Sequence, residues 1–326
     1  MSLLATYRRL KANGVIGMNR RNADFILALN DRRHYPLVDD KLNTKRLAQE
    51  AGIAVPSLYG AIEHPHQVRL FETIVAGHEE FVVKPACGSG GEGILVVAGR
   101  TANGYRLAGG TVVTAEEMHF HLSNILAGTY SLGGQPDKAL IEYRVSFHRV
   151  FERVAFQGVP DVRIIVFQGI PVMAMVRLPT RRSAGKANLH QGAVGVGIDL
   201  ATGLTLDGVC RDRVVTRHPD TDVPLRGIEI PEWDRLMHHA ARTYSLTHLG
   251  YQGMDMVLDA DRGPLMLELN ARPGLSIQIA NREGLGHRLA AAAAALAATP
   301  DLLHDADRRV RFAKETFRPR PVAGGN

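Results

Sequence analysis

Three residues near the end of the sequence carry oxygen atoms of the kind that a hard metal ion prefers. They are Asp255, Glu268 and Asn270, within the stretch GMDMVLDADRGPLMLELNARPG. Alternating side chains predict two β-strands, Met254–Asp259 and Leu265–Asn270, joined by a turn at residues 260–263. Magnesium is usually held by one or two carboxylates together with nucleotide phosphates, and such a hairpin could supply the protein ligands.

The register of this hairpin decides whether the three side chains meet. With a four-residue turn, Asp255 lies opposite Glu268 and Asn270 lies diagonal to Asp255, all on one face. A shift of one residue would turn Asp255 to the other face. The alternative is an amphipathic hairpin whose acids face water. Apolar residues flank the stretch on both sides, however, and acids buried there would need a cation.

A lysine followed by a glycine-rich loop forms a second candidate site. The predicted strand Phe81–Pro85 carries Lys84, and the loop ACGSGGEG at residues 86–93 leads into another strand, Ile94–Ala98. A dinucleotide-binding fold would need a helix after the glycines, and a Walker A loop would end in Gly-Lys-Ser/Thr. The sequence has neither, so the residues by themselves indicate a glycine-rich loop between two strands, which could be only a hairpin turn.

Taken together, these motifs resemble the ATP-grasp superfamily. The matching segments occur in the family's order: DKLNTKRLAQEAGIAVP from Asp40, the strand and loop around Lys84, KANLH from Lys186, and LELNARPG from Leu267. The last two segments are similar to the branch that contains glutamate ligases acting on ribosomal proteins. The resemblance implies an α+β fold in which two α+β lobes clasp ATP, here with a shortened N-terminal region.

The resemblance also implies ATP and Mg²⁺ as cofactors. Asp255, Glu268 and Asn270 would bind magnesium ions that bridge the ATP phosphates. Adenine would be held by Glu142 and Val145, in a predicted strand that starts at Ala139. Phosphate contacts would come from two lysines and the loop backbone, namely Lys41, Lys84, Gly88, Ser89, Gly90, Gly91 and Gly93.

Further implied residues concern the transferred phosphate and the substrate. Arg177 matches a phosphate-binding arginine of the family, Asn188 a contact to phosphate or metal, and His190 a residue on the substrate side. Lys186 stands where the branch has arginine, which keeps the charge but loses bidentate geometry. Arg272 could hold an acceptor carboxylate or the transferred phosphate.

Some candidates have an equally simple structural explanation. Asp161 and Arg163 share one face of a predicted strand and either belong to the site or pair with each other as a structural bridge. Without the resemblance, His190 would be a loop histidine with satisfied hydrogen bonds, and Glu142 a glutamate at a strand end.

Four parts are expected along the chain. Residues 1–38 form a short helical segment, with helices at Ser2–Lys11 and Asn22–Asn30, in place of the domain of roughly a hundred residues that usually precedes this fold. Residues 39–138 form the first lobe with the glycine-rich loop, and residues 139–305 form the second lobe with the magnesium site. Residues 306–326 form a basic tail that is expected to be mobile. A second copy or a partner protein could supply the missing surface.

Composition narrows the class of protein. The 326 residues include 39 Lys and Arg against 33 Asp and Glu, a net charge of +6, which fits phosphates and acidic substrates. Nucleic acid is not expected as a partner because no aromatics interleave with the basic residues. The apolar run Leu289–Ala298 is too short to span a membrane, and no secretion signal is recognised. Two cysteines without metal-ligand spacing fit a cytoplasmic protein.

The predicted activity is ATP-dependent ligation of a carboxylate to an amine, with glutamate or a peptide as the implied substrate. The carboxylate takes the γ-phosphate of ATP to form an acyl phosphate, and the amine then displaces phosphate to give an amide. Two alternatives use the same scaffold: an ATP-binding sensor or partner protein without catalysis, and a small-molecule kinase. The ligase hypothesis requires that the early lysines and the late oxygen ligands converge on one triphosphate.

Overall fold

The computed structural model describes residues 2–88, 90–211 and 213–318, without the side chains of Leu3 and Leu132. These residues form two compact units. The small unit comprises Asp39–Ser146, and the large unit comprises the residues up to Val38 together with those from Phe147 onward. The large unit is therefore built from both ends of the chain.

Helices and strands are mixed along the chain without regular alternation, as expected for an α+β protein. The helices are α1 (Leu3–Ala12), α2 (Met18–Arg20), α3 (Pro36–Asp39), α4 (Lys41–Glu50), α5 (Phe71–Ile74), α6 (Ala115–Leu126), α7 (Trp233–Thr247), α8 (Ser276–Asn281), α9 (Leu285–Ala298) and α10 (Ala306–Thr316). The strands are β1 (Leu58–Ile62), β2 (Phe81–Pro85), β3 (Leu95–Thr101), β4 (Gly104–Leu107), β5 (Val112–Thr114), β6 (Ala139–Glu142), β7 (Asp161–Phe167), β8 (Ile170–Leu178), β9 (Val194–Ile198), β10 (Thr205–Cys210), β11 (Arg213–Val215), β12 (Tyr251–Asp259) and β13 (Gly263–Asn270).

The small unit is built on an antiparallel sheet with the strand order β1-β6-β2-β3-β4-β5. Helix α6 packs against this sheet through Met118, Leu122 and Ile125, which recur at helical spacing and are fully buried. Strand β6 lies between β1 and β2, inside this sheet. The predicted lobe boundary at residue 138 was therefore wrong, because the strand expected to open the second lobe completes the first.

The large unit is built on a second antiparallel sheet, with the order β11-β10-β9-β8-β7-β12-β13. Every residue of β12 and nearly every residue of β8 is buried, as in strands covered on both faces. Helices α7 to α10 pack against this sheet. Trp233, Leu236, Met237 and Ala240 of α7 recur at helical spacing and are all buried.

The β12–β13 hairpin reaches the predicted pairing by a different route. Its turn has three residues rather than four, because Asp259 pairs with Gly263. The Asp259 carboxylate accepts hydrogen bonds from two N–H groups of the turn, each at 3.0 Å. A β-bulge farther along then shifts the register by one residue, so that Asp255 lies opposite Glu268. The predicted pairing is confirmed, whereas the predicted turn length was wrong.

The basic segment after residue 305 is a packed helix as far as Thr316. The Asp305 side chain caps α10 by accepting from the Arg308 N–H at 3.0 Å. Arg309 is 1% exposed and donates to the carbonyl of Ala241 in α7 at 3.0 Å. The prediction of mobility was wrong here, because the Arg309 guanidinium is hydrogen-bonded to the backbone of α7 and does not face solvent. Residues 319–326 lie outside the described part of the chain.

The N-terminal segment is tied into the large unit through backbone groups. Asn30, 3% exposed, donates to the carbonyls of Tyr251 and Ala271 at 2.7 and 2.9 Å and accepts from the Tyr251 N–H at 2.9 Å. Gln278 likewise bonds both the N–H and the carbonyl of Ile16 at 3.0 Å. These contacts fix the start of β12 and the chain that follows β13.

Of the two helices predicted in this segment, only the first lies where the sequence placed it. The second was predicted at Asn22–Asn30, but it starts at Met18 and continues as a π-helix over Arg21–Leu27. Among the described residues, no helix combines the length and apolarity needed to cross a membrane.

Candidate functional site

Three charged side chains meet inside the small unit. Lys84 on β2 and Glu142 on β6 come together because these strands are neighbours. Lys45 reaches the same carboxylate from α4, with its Nζ 2.7 Å from Glu142 Oε2, and Lys84 contacts the other oxygen. All three residues are buried. One carboxylate between two ammonium groups leaves a net positive charge, which is suited to binding an anion.

The protonation of this cluster follows from burial and charge together. Burial lowers the pKa of Lys45 to about 8, against the attraction of Glu142. Burial also disfavours the Glu142 carboxylate, but the charges of Lys84 and Lys45 outweigh it and lower the pKa of Glu142. At neutral pH the carboxylate is therefore ionised and Lys45 is still mostly charged.

Lys45, which the sequence analysis did not single out, is the lysine beside Lys84. The Lys41 ammonium instead donates to the carbonyls of Gly88 and Ala86 at 2.6 and 3.4 Å, where the glycine-rich loop begins. Lys45 lies on the buried face of α4 with Leu42. Lys45 lies three residues after Leu42 and three before Ala48, and a lysine at this helical spacing of apolar residues was the signal that could have identified it. A phosphate contact by Lys41 stays a prediction.

The base of the glycine-rich loop is held by Asp137, which the sequence analysis also missed. Its buried carboxylate accepts from the Cys87 N–H at 3.0 Å to each oxygen and from the Ser131 hydroxyl at 2.8 Å. Burial, reinforced by the charge of Asp137, raises the pKa of the Cys87 thiol to about 12. Cys87 is consequently not a nucleophile at neutral pH.

The loop itself depends on backbone conformations that favour glycine. Gly90, Gly91 and Gly93 have φ angles of 67°, 78° and 72°. At Gly93 a Cβ would also come within 2.6 Å of the Tyr130 ring. Ser89, a predicted phosphate contact, lies outside the described residues. Closure of this loop over phosphate stays a prediction.

The predicted adenine contacts lie at the end of β6. The strand stops at Glu142, and Val145 lies half-buried in the chain that follows. The N–H of Tyr143, between them, donates to the Ser57 carbonyl at 2.8 Å. The structure thus gives Glu142 two lysine partners, and its role toward adenine stays a prediction.

A row of charged side chains crosses four neighbouring strands of the large unit. On β7, Asp161 lies opposite Arg177 of β8, and Arg163 lies opposite Asp255 of β12. Asp255 in turn lies opposite Glu268 of β13. Directly paired residues of an antiparallel sheet project from the same face. The register therefore brings both arginines and all three carboxylates together.

The two arginines of this row clamp its buried carboxylates. Arg163 donates from Nε and Nη2 to the two oxygens of Asp255 at 2.7 and 2.5 Å. Arg177 donates to Asp255 at 2.8 Å and also holds Asp161 through two nitrogens. Both clamps are bidentate. Asp161 and Arg163 are therefore not a separate bridge, since each has its main partner on a neighbouring strand.

The pKa values of Asp255 and Asp161 are shifted in opposite directions. Burial alone would raise the pKa of Asp255, but the charges of Arg163 and Arg177 outweigh it and hold that pKa well below its usual range. For Asp161, burial prevails over the attraction of Arg177 and raises the pKa to about 6. Asp255 is thus a fixed anion, whereas Asp161 is the more easily protonated acid.

The predicted metal ligands supply hard oxygen donors. Glu268 and Asn270 are half-buried on β13, and Asp255 is the cross-strand neighbour of Glu268. In the part of the chain that the structure describes, no group of three Asp, Glu, His or Cys side chains could hold a metal by itself. Two carboxylates and an amide oxygen fit a magnesium ion that phosphates also ligate. Because Arg163 and Arg177 already bind Asp255, Glu268 would be the more available carboxylate ligand for such an ion.

The segment of residues 186–190 lies beside the arginine end of the row. Gly195 on β9 pairs with Arg177, and the Leu189 side chain packs 2.6 Å from where a Cβ of Gly195 would be. This contact places the segment on the same face of the sheet as the row, one strand away. The segment that resembles the family is therefore adjacent to Arg177.

Within this segment the three predicted site residues differ in exposure. Asn188 is half-buried and caps its own turn by accepting from the His190 N–H at 3.0 Å. Lys186 and His190 are exposed. Their roles toward phosphate and substrate stay predictions.

Arg272 lies just beyond β13, next to the predicted metal ligand Asn270. Its N–H donates to Asn270 Oδ1 at 2.9 Å, and its guanidinium lies 4.9 Å from the ring centre of Tyr35. Arg21 donates to the carbonyl of Pro273 at 3.1 Å. Tyr35 and Arg21 belong to the N-terminal segment, which thus contributes to this end of the site. The two arginines there suit an anionic group.

An ATP-grasp fold has two such sheets. The smaller sheet carries a lysine pair and a glycine-rich loop, and the larger sheet has a hairpin with acid and amide side chains. The model of the sugar-transfer associated ATP-grasp family matches residues 20–294, and the chain belongs to this family. The predicted α+β ATP-grasp fold is confirmed. The predicted glutamate ligase branch is a finer assignment, which this match does not make.

The chain is also similar to several solved structures, at low sequence identity. The ATP-grasp ligase PsnB complexed with minimal precursor is 18% identical, with 82% of this chain and 63% of that chain covered and a TM-score of 0.44. The D-cycloserine synthetase DcsG is 17% identical, with 80% and 71% covered and a TM-score of 0.45. D-alanine–D-alanine ligase from Bacillus anthracis complexed with ATP is 14% identical, with 86% and 68% covered and a TM-score of 0.43.

The chain spans less than two thirds of the PsnB ligase, at 63% of its length. A search of curated proteins found no match to the chain.

Proposed function

We propose that this protein is an ATP-dependent ligase that joins a carboxylate to an amine through an acyl phosphate. The observation that carries the proposal is the charged row of Asp161, Arg163, Arg177, Asp255 and Glu268. Ion pairs buried in this way are weak stabilisers of a fold. They do place guanidinium groups, which bind phosphate or carboxylate, beside oxygen ligands for a cation. Phosphoryl transfer needs that combination of groups.

In this proposal the small unit binds the nucleotide. Lys45 and Lys84 would contact ATP phosphates, and Glu142 would hold both ammonium groups in place through its two oxygens. The glycine-rich loop, held at its base by Asp137, would cover the phosphates with backbone N–H groups. Two buried lysines that share one carboxylate leave positive charge for this role.

The large unit would handle the reacting groups. Glu268 and Asn270, with Asp255, would hold Mg²⁺, which when bound offsets charge on the phosphate oxygens. Arg163 and Arg177 would bind the carboxylate to be activated and the phosphoryl group that it accepts. Arg272 would orient an acidic group of a substrate.

The reaction has two steps in which bonds form and break. A carboxylate oxygen attacks the γ-phosphorus of ATP, the bond from that phosphorus to the β,γ-bridging oxygen breaks, and ADP leaves. The amine nitrogen then attacks the acyl carbon, the carbon–oxygen bond to phosphate breaks, and the amine gives a proton to the departing phosphate. Positive charge near the transferring phosphoryl group favours the first step.

The proposal is tested by measuring ADP release with ATP and Mg²⁺ against a panel of amino acids and peptides. Glutamate is the first candidate donor, because the LELNARPG and KANLH segments resemble glutamate ligases. Hydroxylamine in place of the amine should trap the acyl phosphate as a hydroxamate. ADP release with a phosphorylated product and no hydroxamate would indicate a kinase. Bound ATP without ADP release from any mixture would indicate a sensor.

Two variants locate the activity in the charged row. Glu268→Gln keeps the size of the side chain and should lower amine-dependent ADP release by roughly a hundredfold or more. Arg177→Gln should have a comparable effect. Arg226 provides the matched control, since it forms an exposed bidentate pair with Asp207 at 2.9 and 2.7 Å. Arg226→Gln should retain activity, and equal losses in both arginine variants would remove the row from the site.

A further inference from the structure

Helix α1 is exposed over the residues whose side chains the structure describes. In its ten residues, every side chain that the structure describes is exposed. The apolar members include Leu4 at 70%, Tyr7 at 63% and Leu10 at 47% exposure. A helix of this length is marginal by itself in water, and amphipathic helices draw most of their stability from packing. The face of α1 therefore calls for a partner outside the large unit.

The contacts that hold α1 to the large unit, among the described residues, lie where the helix ends. The carbonyl of Ala12 is 2.9 Å from His287 Nε2, and the carbonyl of Asn13 accepts from the Gly284 N–H at 3.2 Å. Gln278 then bonds the backbone of Ile16. The helix is thus anchored to α8 and α9 at its C-terminal end, while none of its described side chains is buried in the core. The segment also precedes the residues matched by the family model, which begin at residue 20.

The charge of this region has one sign. Residues 1–23 contain five basic side chains and no acidic one, the first acid being Asp24. At 100° per residue, Leu4, Tyr7 and Leu10 fall within an arc of about 120°. Arg8 and Arg9 lie outside that arc. Lys11 falls inside the arc, but its long stem lets the ammonium reach past the apolar residues. An apolar stripe flanked by basic residues is typical of a helix that lies in a membrane interface.

We propose that α1 docks this protein on an anionic lipid surface. Leu4, Tyr7 and Leu10 would enter the interface while Arg8 and Arg9 contact lipid phosphates. A second copy of the chain is a poorer occupant of this face, because it would bring five further positive charges and no acid from the same segment. The proposal does not depend on the ligase activity, since α1 carries none of the candidate site residues.

The test is co-sedimentation of the full chain with vesicles. Phosphatidylcholine vesicles that contain about one third phosphatidylglycerol should pellet the protein, and pure phosphatidylcholine vesicles should not. Reversing Arg8 and Arg9 to Glu should weaken partitioning at least about 25-fold, at about fivefold for each lost charge. The double variant L4E/L10E should weaken it at least about tenfold. High salt should weaken binding of the wild type.

Phe120 provides the matched control for added charge on an exposed apolar residue. It lies in α6 of the small unit and is 69% exposed, like Leu4. F120E should bind vesicles like the wild type. In all variants, the urea unfolding transition followed by Trp233 fluorescence should match that of the wild type. Absence of binding to anionic vesicles, or an equal loss in F120E, would overturn the proposal. A wild type that self-associates and becomes monomeric in L4E/L10E would show instead that a second copy covers α1.

Discussion

Replacing Lys45 with methionine tests whether the small unit keeps a cation at a cost in stability. The Lys45 Nζ lies 2.7 Å from Glu142 Oε2 and donates to the Pro56 carbonyl at 2.9 Å, all within the buried part of the unit. Methionine has a similar length and no charge. Lys45→Met therefore removes the ammonium with little change in packing.

The lowered pKa of Lys45 sets the size of the effect. Burial lowers this pKa from 10.5 to about 8. Each pKa unit corresponds to about 1.4 kcal/mol, so keeping Lys45 charged at neutral pH costs about 3 kcal/mol relative to the unfolded chain. Because the pKa of Lys45 is lower in the folded chain, the unfolded chain binds more protons at any pH between the two pKa values. The free energy of unfolding should therefore rise with pH through that window.

Urea unfolding at about pH 8 and about pH 10, followed by far-UV circular dichroism, measures this rise. Trp233 is the sole tryptophan, and its fluorescence reports the large unit separately. In the wild type, the transition of the small unit should gain about 2–3 kcal/mol between the two pH values. Lys45→Met should lose this gain. The proposed contact of Lys45 with ATP phosphates also predicts weaker ATP binding by the variant.

Lys138 of the same unit is the control. Burial opposes its charge, but Glu63 at 3.2 Å and Asp40 at 3.5 Å outweigh burial and raise the pKa of Lys138. Its contribution to stability is therefore lost only as the pH rises past the ordinary lysine pKa. The free energy of unfolding would fall there, opposite to the rise expected from Lys45. Lys138→Met should therefore show the same pH-dependent rise in the free energy of unfolding as the wild type. A flat or falling wild-type curve, or an unchanged rise in Lys45→Met, would refute this account of the cluster.

Three further predictions concern residues that hold the sites in place. Arg177→Met should destabilise the large unit by about 3–5 kcal/mol in Trp233-monitored urea unfolding, and adding Asp161→Asn should recover part of the loss; equal stability of single and double variants would contradict this. Asn30→Ala should cost about 2–3 kcal/mol in the same assay, because it leaves buried backbone groups unpaired; a loss below about 0.5 kcal/mol would count against that role. Asp137→Asn should lower the pKa of Cys87 and speed its labelling by a disulfide reagent in a Cys210→Ser background, whereas unchanged labelling would mean that Asp137 does not control the base of the loop.

Local features of the fold could be predicted from sequence because short-range physics determines them. Asp40 caps α4 by accepting from the N–H groups of Leu42 and Asn43, and aspartate is a preferred residue at this position. Helix α6 begins after the cap Thr114, whose side chain accepts from the Glu117 N–H, and the two residues are only three positions apart in sequence. The pairing of Asp255 with Glu268 was also predicted, although a bulge and a shorter turn produce it.

The composition of the two charge clusters depended on tertiary structure. Arg163 and Asp255 are 92 residues apart and meet only because β7 and β12 are neighbours in the sheet. Lys45 joins Lys84 and Glu142 because α4 presents it to the carboxylate at the end of β6. Sequence motifs indicate which residue types can do chemistry. The order of strands decides which of those residues touch, because contacts between distant parts of the chain follow from how its sheets and helices pack.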